Sequence, residues 1–198
     1  MESFVFFVFL LLGLGVLASA FRTGAYARQA RWFRLGVLLV SFLYFSYWFV
    51  QKSTERFQQD SMAVQIINKL PQPVDFYVIK IKKGTKVSTE RFEMMHVGRI
   101  RPEHYRLEYL RMDNSDEYWL AGYIGKRNLA YFSQHYVPNK NMDQILEIHS
   151  FINQSVRLSE TASRQVDRYR AEHMSLSVWV TLSFLLMFLN MMLFFMKK

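Results

Sequence analysis

Apolar residues gather in three long runs, Ser3–Phe21, Leu35–Val50 and Leu176–Met196, and none of them holds a charged side chain. A helix crosses a bilayer with about 20 apolar residues, and roughly 17 is the lower limit. The first and third runs clear that limit. The second has 16 uncharged residues and reaches it by borrowing Trp32, Phe33 and a snorkelling Arg34. All three are predicted to span a membrane, with a polar block between the second and third.

Inside that block the period changes from helical to extended. Phe57, Met62, Val64, Ile66, Ile67 and Leu70 fit a short helix followed by a strand from about Ala63. Pro71-Gln72-Pro73 then imposes a turn, because each proline fixes its own φ and holds the preceding residue extended. Val74–Lys82 and Phe92–Ile100 read as strands, with Gly84 between them. His104–Arg111 alternates cleanly, Tyr105, Leu107 and Tyr109 on one face against His104, Arg106 and Glu108 on the other. Asp113–Asp116 has turn chemistry. Tyr118–Ile124 and Leu129–Val137 form a hairpin across Gly125–Asn128. Ile145, Ile148, Ile152 and Val156 share a helical stripe, with Asn141 and Gln144 as its capping pair, and predict a helix lying on the sheet. A last helix starts near Ser159 and meets no Gly or Pro before the chain ends; its outer part, Thr161–His173, is mostly polar.

The expected fold class is an α+β membrane protein. Three transmembrane helices, two N-terminal and one C-terminal, flank a small extramembrane domain with an antiparallel five- to six-stranded sheet plus helices. In chain order these are a first span at 1–21, a basic cytoplasmic loop at 22–34 and a second span at 35–50. The β-rich domain with its covering helix follows at 51–157, then a polar helical stalk at 158–175, a third span at 176–196 and a cytoplasmic tail at 197–198.

Charge sets the orientation. The chain of 198 residues carries a formal net charge of +9. The short loop holds Arg22, Arg28, Arg31 and Arg34 and no acid, while the polar block balances 19 basic against 15 acidic residues. Short loops rich in Arg and Lys stay cytoplasmic, and long domains contribute little to that choice. The arginine loop is therefore placed in the cytoplasm together with Lys197 and Lys198. The N-terminus and the large domain are placed outside. Ala18-Ser19-Ala20 resembles a signal-peptidase site, but Glu2 and the lack of a basic residue ahead of it argue against cleavage. The near balance of the polar block argues against a nucleic-acid binder, which shows an uncompensated basic face.

The chain has no cysteine, which excludes disulfides, thiolate metal sites and thiol nucleophiles and favours a bacterial periplasm as the outer compartment. His96, His104 and His135 lie in predicted strands, without the i, i+4 spacing of a helical zinc motif. Asp113, Asp116 and Glu117 lack the order and the glycine of a calcium loop. Gly122–Lys126 is too short for a phosphate loop and precedes a strand. No cofactor, metal or catalytic set is expected. Arg99, Arg101, His104, Arg106 and Glu108 form the one dense ionisable group, and their alternation fits a solvated strand face.

Aromatic residues crowd the neighbouring strands. Core packing is the first reading, because such residues are good strand formers. A recognition face is the second, since Tyr and Trp are enriched at interfaces. The residues put forward for partner binding are Tyr118, Trp119, Tyr123 and Tyr131. Within the spans, Asn190, Ser177 and Thr181, with the Gly15/Ser19 pair, are put forward for helix association. No span has an ionisable centre, which disfavours a transport path.

The expected function is a non-enzymatic, membrane-anchored structural subunit of a multiprotein envelope complex of the secretion or trans-envelope type. Its partners would be the lipid bilayer and other membrane or envelope proteins, in a homo- or hetero-oligomer. The alternative is a ligand- or peptide-sensing regulator that signals through the C-terminal helix.

Overall fold

A computed structural model of the chain describes residues 2–21, 26–54, 61–82, 92–112, 114–140 and 142–195. Its elements, in chain order, are α1 (Glu2–Ala18), α2 (Ala27–Thr54), β1 (Met62–Asn68), β2 (Val74–Lys82), β3 (Phe92–Ile100), β4 (His104–Leu110), β5 (Ser115–Ile124), β6 (Asn128–Tyr136), β7 (Gln144–Ile148) and α3 (Val156–Phe195). They divide into a helical unit, Met1–Phe57 with Ala171–Lys198, and a domain, Gln58–Arg170.

In the helical unit, two helices are long and apolar enough to cross a membrane, α2 with 28 residues and α3 with 40. The three expected spans reduce to two by this measure. α1 stops at 17 residues because its end tightens into i→i−3 bonds, Ser19 N to Val16 O and Ala20 N to Leu17 O, both 3.0 Å. The shortest apolar run, Leu35–Val50, is instead the middle of the longer helix α2. Helical geometry reaches back to Ala27 and on to Thr54 because the flanking Arg, Gln and Lys residues are good helix formers.

Val8 and Leu12 of α1, Val37 and Phe45 of α2, and Val180 and Leu186 of α3 pack together. Phe4 stacks on Tyr44, while Phe6 and Phe9 meet Trp179 edge-on. α1 and α3 therefore run parallel in this unit, with α2 antiparallel to both. Most other apolar side chains of α2 and α3 face outward; Phe42, Leu43, Phe49, Leu185 and Phe188 are more than half exposed.

The domain has three layers. One sheet has the order β4-β1-β7 and the other β3-β2-β5-β6. We refer to them as the outer and the central sheet. Five or six antiparallel strands were expected, and seven strands form these two sheets. The chain changes sheets at the turn through Pro71 and Pro73 and at the corner Arg101–Glu103, where Glu103 takes a φ of 59°. Buried residues of both sheets (among them Val64, Ile66, Val78, Leu110, Tyr118, Leu120 and Ile148) form the first core. The far face of the central sheet carries Tyr77, Ile79, Trp119, Ala121, Tyr123 and Phe132, and the first half of α3 covers it with Leu158, Ala162, Val166 and Tyr169.

Two expectations about the end of the domain are thereby corrected. Gln144–Ile148 is not a covering helix. It is a strand paired parallel to β1, with Ile66 opposite Leu146, and the three-residue spacing of Ile145 and Ile148 imitated a helical stripe. The covering helix is the segment expected to be a polar stalk. Its few apolar residues sit four or so apart, which suffices for a narrow stripe on a sheet.

Candidate functional site

Three places in the molecule concentrate chemistry. The first is a face. In β1 the residues Met62, Val64, Ile66 and Asn68 turn inward, which leaves Ala63, Gln65 and Ile67 on the outer side. Their partners across β4 are Tyr109, Leu107 and Tyr105. Across β7, Gln65 faces Ile145. Tyr105, Leu107, Tyr109 and Ile145 are 63, 46, 54 and 65% exposed. With both faces of the central sheet closed, this outer face is where large apolar side chains lie open side by side. Scattered exposed apolar residues are ordinary; a contiguous set on one sheet face is the mark of a contact surface.

The residues put forward for partner binding lie elsewhere. Tyr118, Trp119 and Tyr123 are 0, 4 and 1% exposed, and Tyr131 is half-buried against the first core, its ring 6.3 Å from that of Phe76. Of the two readings of these rings, core packing describes where they sit. β5 is apolar on both faces because it is a central strand covered from both sides. β4 is apolar on one face only because it is an edge strand. That clean alternation is the signal by which Tyr105 and Tyr109, not among the residues put forward, could have been found.

The second place joins α3 to the central sheet. The Arg170 guanidinium lies between two rings, 4.8 Å from the Tyr77 centroid and 4.6 Å from that of Tyr123. Its Nε donates to the Tyr77 hydroxyl at 3.0 Å, and Nη1 donates to the Lys126 carbonyl. Tyr77 in turn donates to Asp75 at 3.0 Å, and His96 Nε2 lies 2.7 Å from the other Asp75 oxygen. The His96 ring stacks on Tyr77 at 4.5 Å. Burial works to raise the Asp75 carboxyl; the His96 and Tyr77 hydrogen bonds and the Arg170 charge outweigh it and hold the group below its usual range. Burial also raises the Tyr77 and Tyr123 hydroxyls, so both rings stay neutral and present their π faces to the cation. Four elements meet here, and nothing in the local sequence around Asp75 or Arg170 announces it.

The third lies among the helices. Asn190 is 1% exposed and donates to the carbonyls of Leu12 in α1 and Leu186 in its own helix. Its backbone carbonyl accepts from Arg34 Nη2 at 2.9 Å. Arg34 is thus 6% exposed and packed within the unit. Ser177 and Thr181 are exposed, and Thr181 returns its hydroxyl to the Ser177 carbonyl at 2.8 Å. Arg28 and Arg31 lie in α2, with Arg28 exposed; Arg22, Lys197 and Lys198 lie outside the described residues.

The histidines do not converge. His96 meets Asp75, His104 Nδ1 the Pro102 carbonyl, and His135 Nε2 the Ser133 hydroxyl. A shallow cleft of about 410 Å³ opens beside α3, lined by Leu129, Ser159, Glu160, Ser163 and Arg164. Against protein-family models, curated proteins and solved structures, the chain finds no match.

Proposed function

We propose that this chain is a non-enzymatic, membrane-anchored subunit of a multiprotein cell-envelope assembly, with its domain held outside the cytoplasm to contact other proteins. The observation that carries the reading is the open apolar face of the outer sheet on a domain whose other sheet is covered on both sides. The exposed apolar flanks of α2 and α3 support the anchor, since such surface is costly in water at roughly 25 cal/mol per Å². α1, at the lower length limit for a span, lies beside them as a third membrane helix. The arginines of 22–34 favour a cytoplasmic loop and an outward domain, in a bacterial inner membrane.

The sensing alternative asks for a concave apolar pocket, and the cleft beside α3 is shallow with four polar residues among the five that line it. Gentle solubilisation followed by native electrophoresis tests the proposal. A high-mass species that disperses when Tyr105 and Tyr109 are both replaced by Ser is the expected result. A single species at the chain's own 23.7 kDa in every detergent would overturn it.

A further inference from the structure

From the pairing pattern of β4 we infer that its free edge is a self-association site, at which two copies of this chain join antiparallel about a twofold axis through Leu107. The inference rests on the anchored-subunit reading and names the partner. β4 ends its sheet, and among the described residues no strand pairs with its outer side. It is straight enough to hold seven consecutive pairs with β1 without a register shift. Natural edge strands are normally blunted by short length, bulges, prolines or charged side chains, inward-pointing ones included. β4 carries charge, but in a self-complementary order.

The segment reads Glu103-His104-Tyr105-Arg106-Leu107-Glu108-Tyr109-Leu110-Arg111. Fold it back on a second copy about Leu107, and the two acidic or arginine side chains of the strand meet their opposites. Arg106 faces Glu108 of the other copy, and Glu108 faces its Arg106. On the apolar face Tyr105 lies beside Tyr109, with Leu107 against Leu107 at the axis. Opposite charges and aromatic pairs are the favourable cross-strand neighbours of an antiparallel ladder, and like charges directly opposite are unfavourable. Moving the axis one residue either way sets Arg106 against Arg106 or Glu108 against Glu108. The order of charges therefore specifies one register.

The result is a continuous six-stranded sheet, β7-β1-β4 against β4-β1-β7, whose outer face doubles the exposed stripe. Confinement in a bilayer raises the effective concentration of a second copy, so a short edge contact suffices.

A chain without cysteine is suited to the test. In the full-length protein in native membranes, L107C places two thiols across the axis, at a Cα separation that a disulfide spans. Mild oxidation should give a covalent dimer. I145C, on the far edge of the sheet and 65% exposed, should give at least tenfold less. Adding R106E or E108R to L107C should each cut the dimer tenfold or more. Co-expressing the two should restore it, because in the mixed pair each facing couple is again one acid against one arginine; the restored dimer also shows that both variants fold. Equal cross-linking of L107C and I145C, or charge variants that cross-link as well as their parent, overturns the inference. A high-mass native species together with monomeric L107C overturns it alone and leaves the anchored-subunit reading standing. Release of the chain from membranes by alkaline carbonate overturns that reading instead, and β4 pairing is then decided by the same cross-link in the soluble fraction.

Discussion

A Cβ added to Gly15 of α1 would come within 2.9 Å of the Asn190 Oδ1 of α3. The same Asn190 donates from Nδ2 to the Leu12 carbonyl, one turn earlier in α1, at 2.9 Å. Close approach and hydrogen bond depend on each other. Without a side chain at position 15 the two helices come near enough for the amide to reach the backbone, as small residues permit between apolar helices.

Gly15→Ala should therefore destabilise the helical unit by about 1–3 kcal/mol, the usual cost of overpacking a fitted contact. Asn190→Ala alone should cost about 0.6–1.7 kcal/mol, the range for interhelical hydrogen bonds in membrane proteins. In the double variant the obstructing oxygen is gone, so its loss should be smaller than the sum of the two. Unfolding of the purified chain in mixed micelles measures all three; additive losses would mean that Gly15 and Asn190 do not share a contact.

Arg170→Ala removes a guanidinium held between Tyr77 and Tyr123. Each cation–π contact contributes about 0.5–2 kcal/mol, so a total loss of about 1–4 kcal/mol is expected from the two. Lys cannot stack as a plane between two rings and also donate sideways. Arg170→Lys should recover less than half of the loss. Thermal unfolding of the full chain, followed by the fluorescence of Trp119 in a background with Trp32, Trp48 and Trp179 replaced by Phe, reads both variants.

The fold was legible where one force dominated. Strands β2 to β6 could be read because runs of β-branched and aromatic residues end at turn residues, with clean alternation in β4, and the Gly125–Asn128 hairpin joins β5 and β6 where those signals place it. What stayed hidden were choices between partners. Ile145 and Ile148 satisfy a helical spacing and an extended one, and only pairing with β1 decides between them. The sparse apolar residues of α3 carry no hint of which surface they cover, because Ala162 and Val166 become buried only once the central sheet exists. The Asp75–Tyr77–His96–Arg170 group joins residues up to 95 positions apart in the sequence, and no local pattern anticipates that. Arg34 shows the same limit: it was legible as a charge flanking an apolar run, and its contact with Asn190 was not.

Two groups in the domain give stability a dependence on pH with one sign. Burial lowers His135 below its ordinary value of 6.5. Asp75 is held below 3.8, the upward push of burial being outweighed by its His96 and Tyr77 hydrogen bonds and the Arg170 charge. In both cases the folded value lies under the unfolded one, so the unfolded chain binds more protons in the window between them and stability falls as pH falls. Loss should begin as pH drops through about 6.5, from His135, and resume below 3.8, from Asp75. Urea midpoints measured from about pH 8 to about pH 3, a range that brackets both windows, should show both limbs. His135→Gln should flatten the upper one and Asp75→Asn the lower; an unchanged upper limb in His135→Gln would assign it to another group.

Membrane placement is open to direct measurement, because each single cysteine introduced into this chain is the sole thiol. The choice of site matters. Ser115 opens β5 but is 3% exposed, so a label there would fail for lack of access and imitate protection by the membrane. Met142 is 63% exposed, and Arg28 is exposed on α2. The excess of arginine in 22–34 predicts a cytoplasmic position for that segment, and on the proposed placement a single pass through α2 separates it from the domain. M142C should react with a membrane-impermeant maleimide in intact cells, and R28C should react only after the cells are opened. Labelling of both from the same compartment would mean that α2 does not cross, and the outward placement of the domain would fall with it.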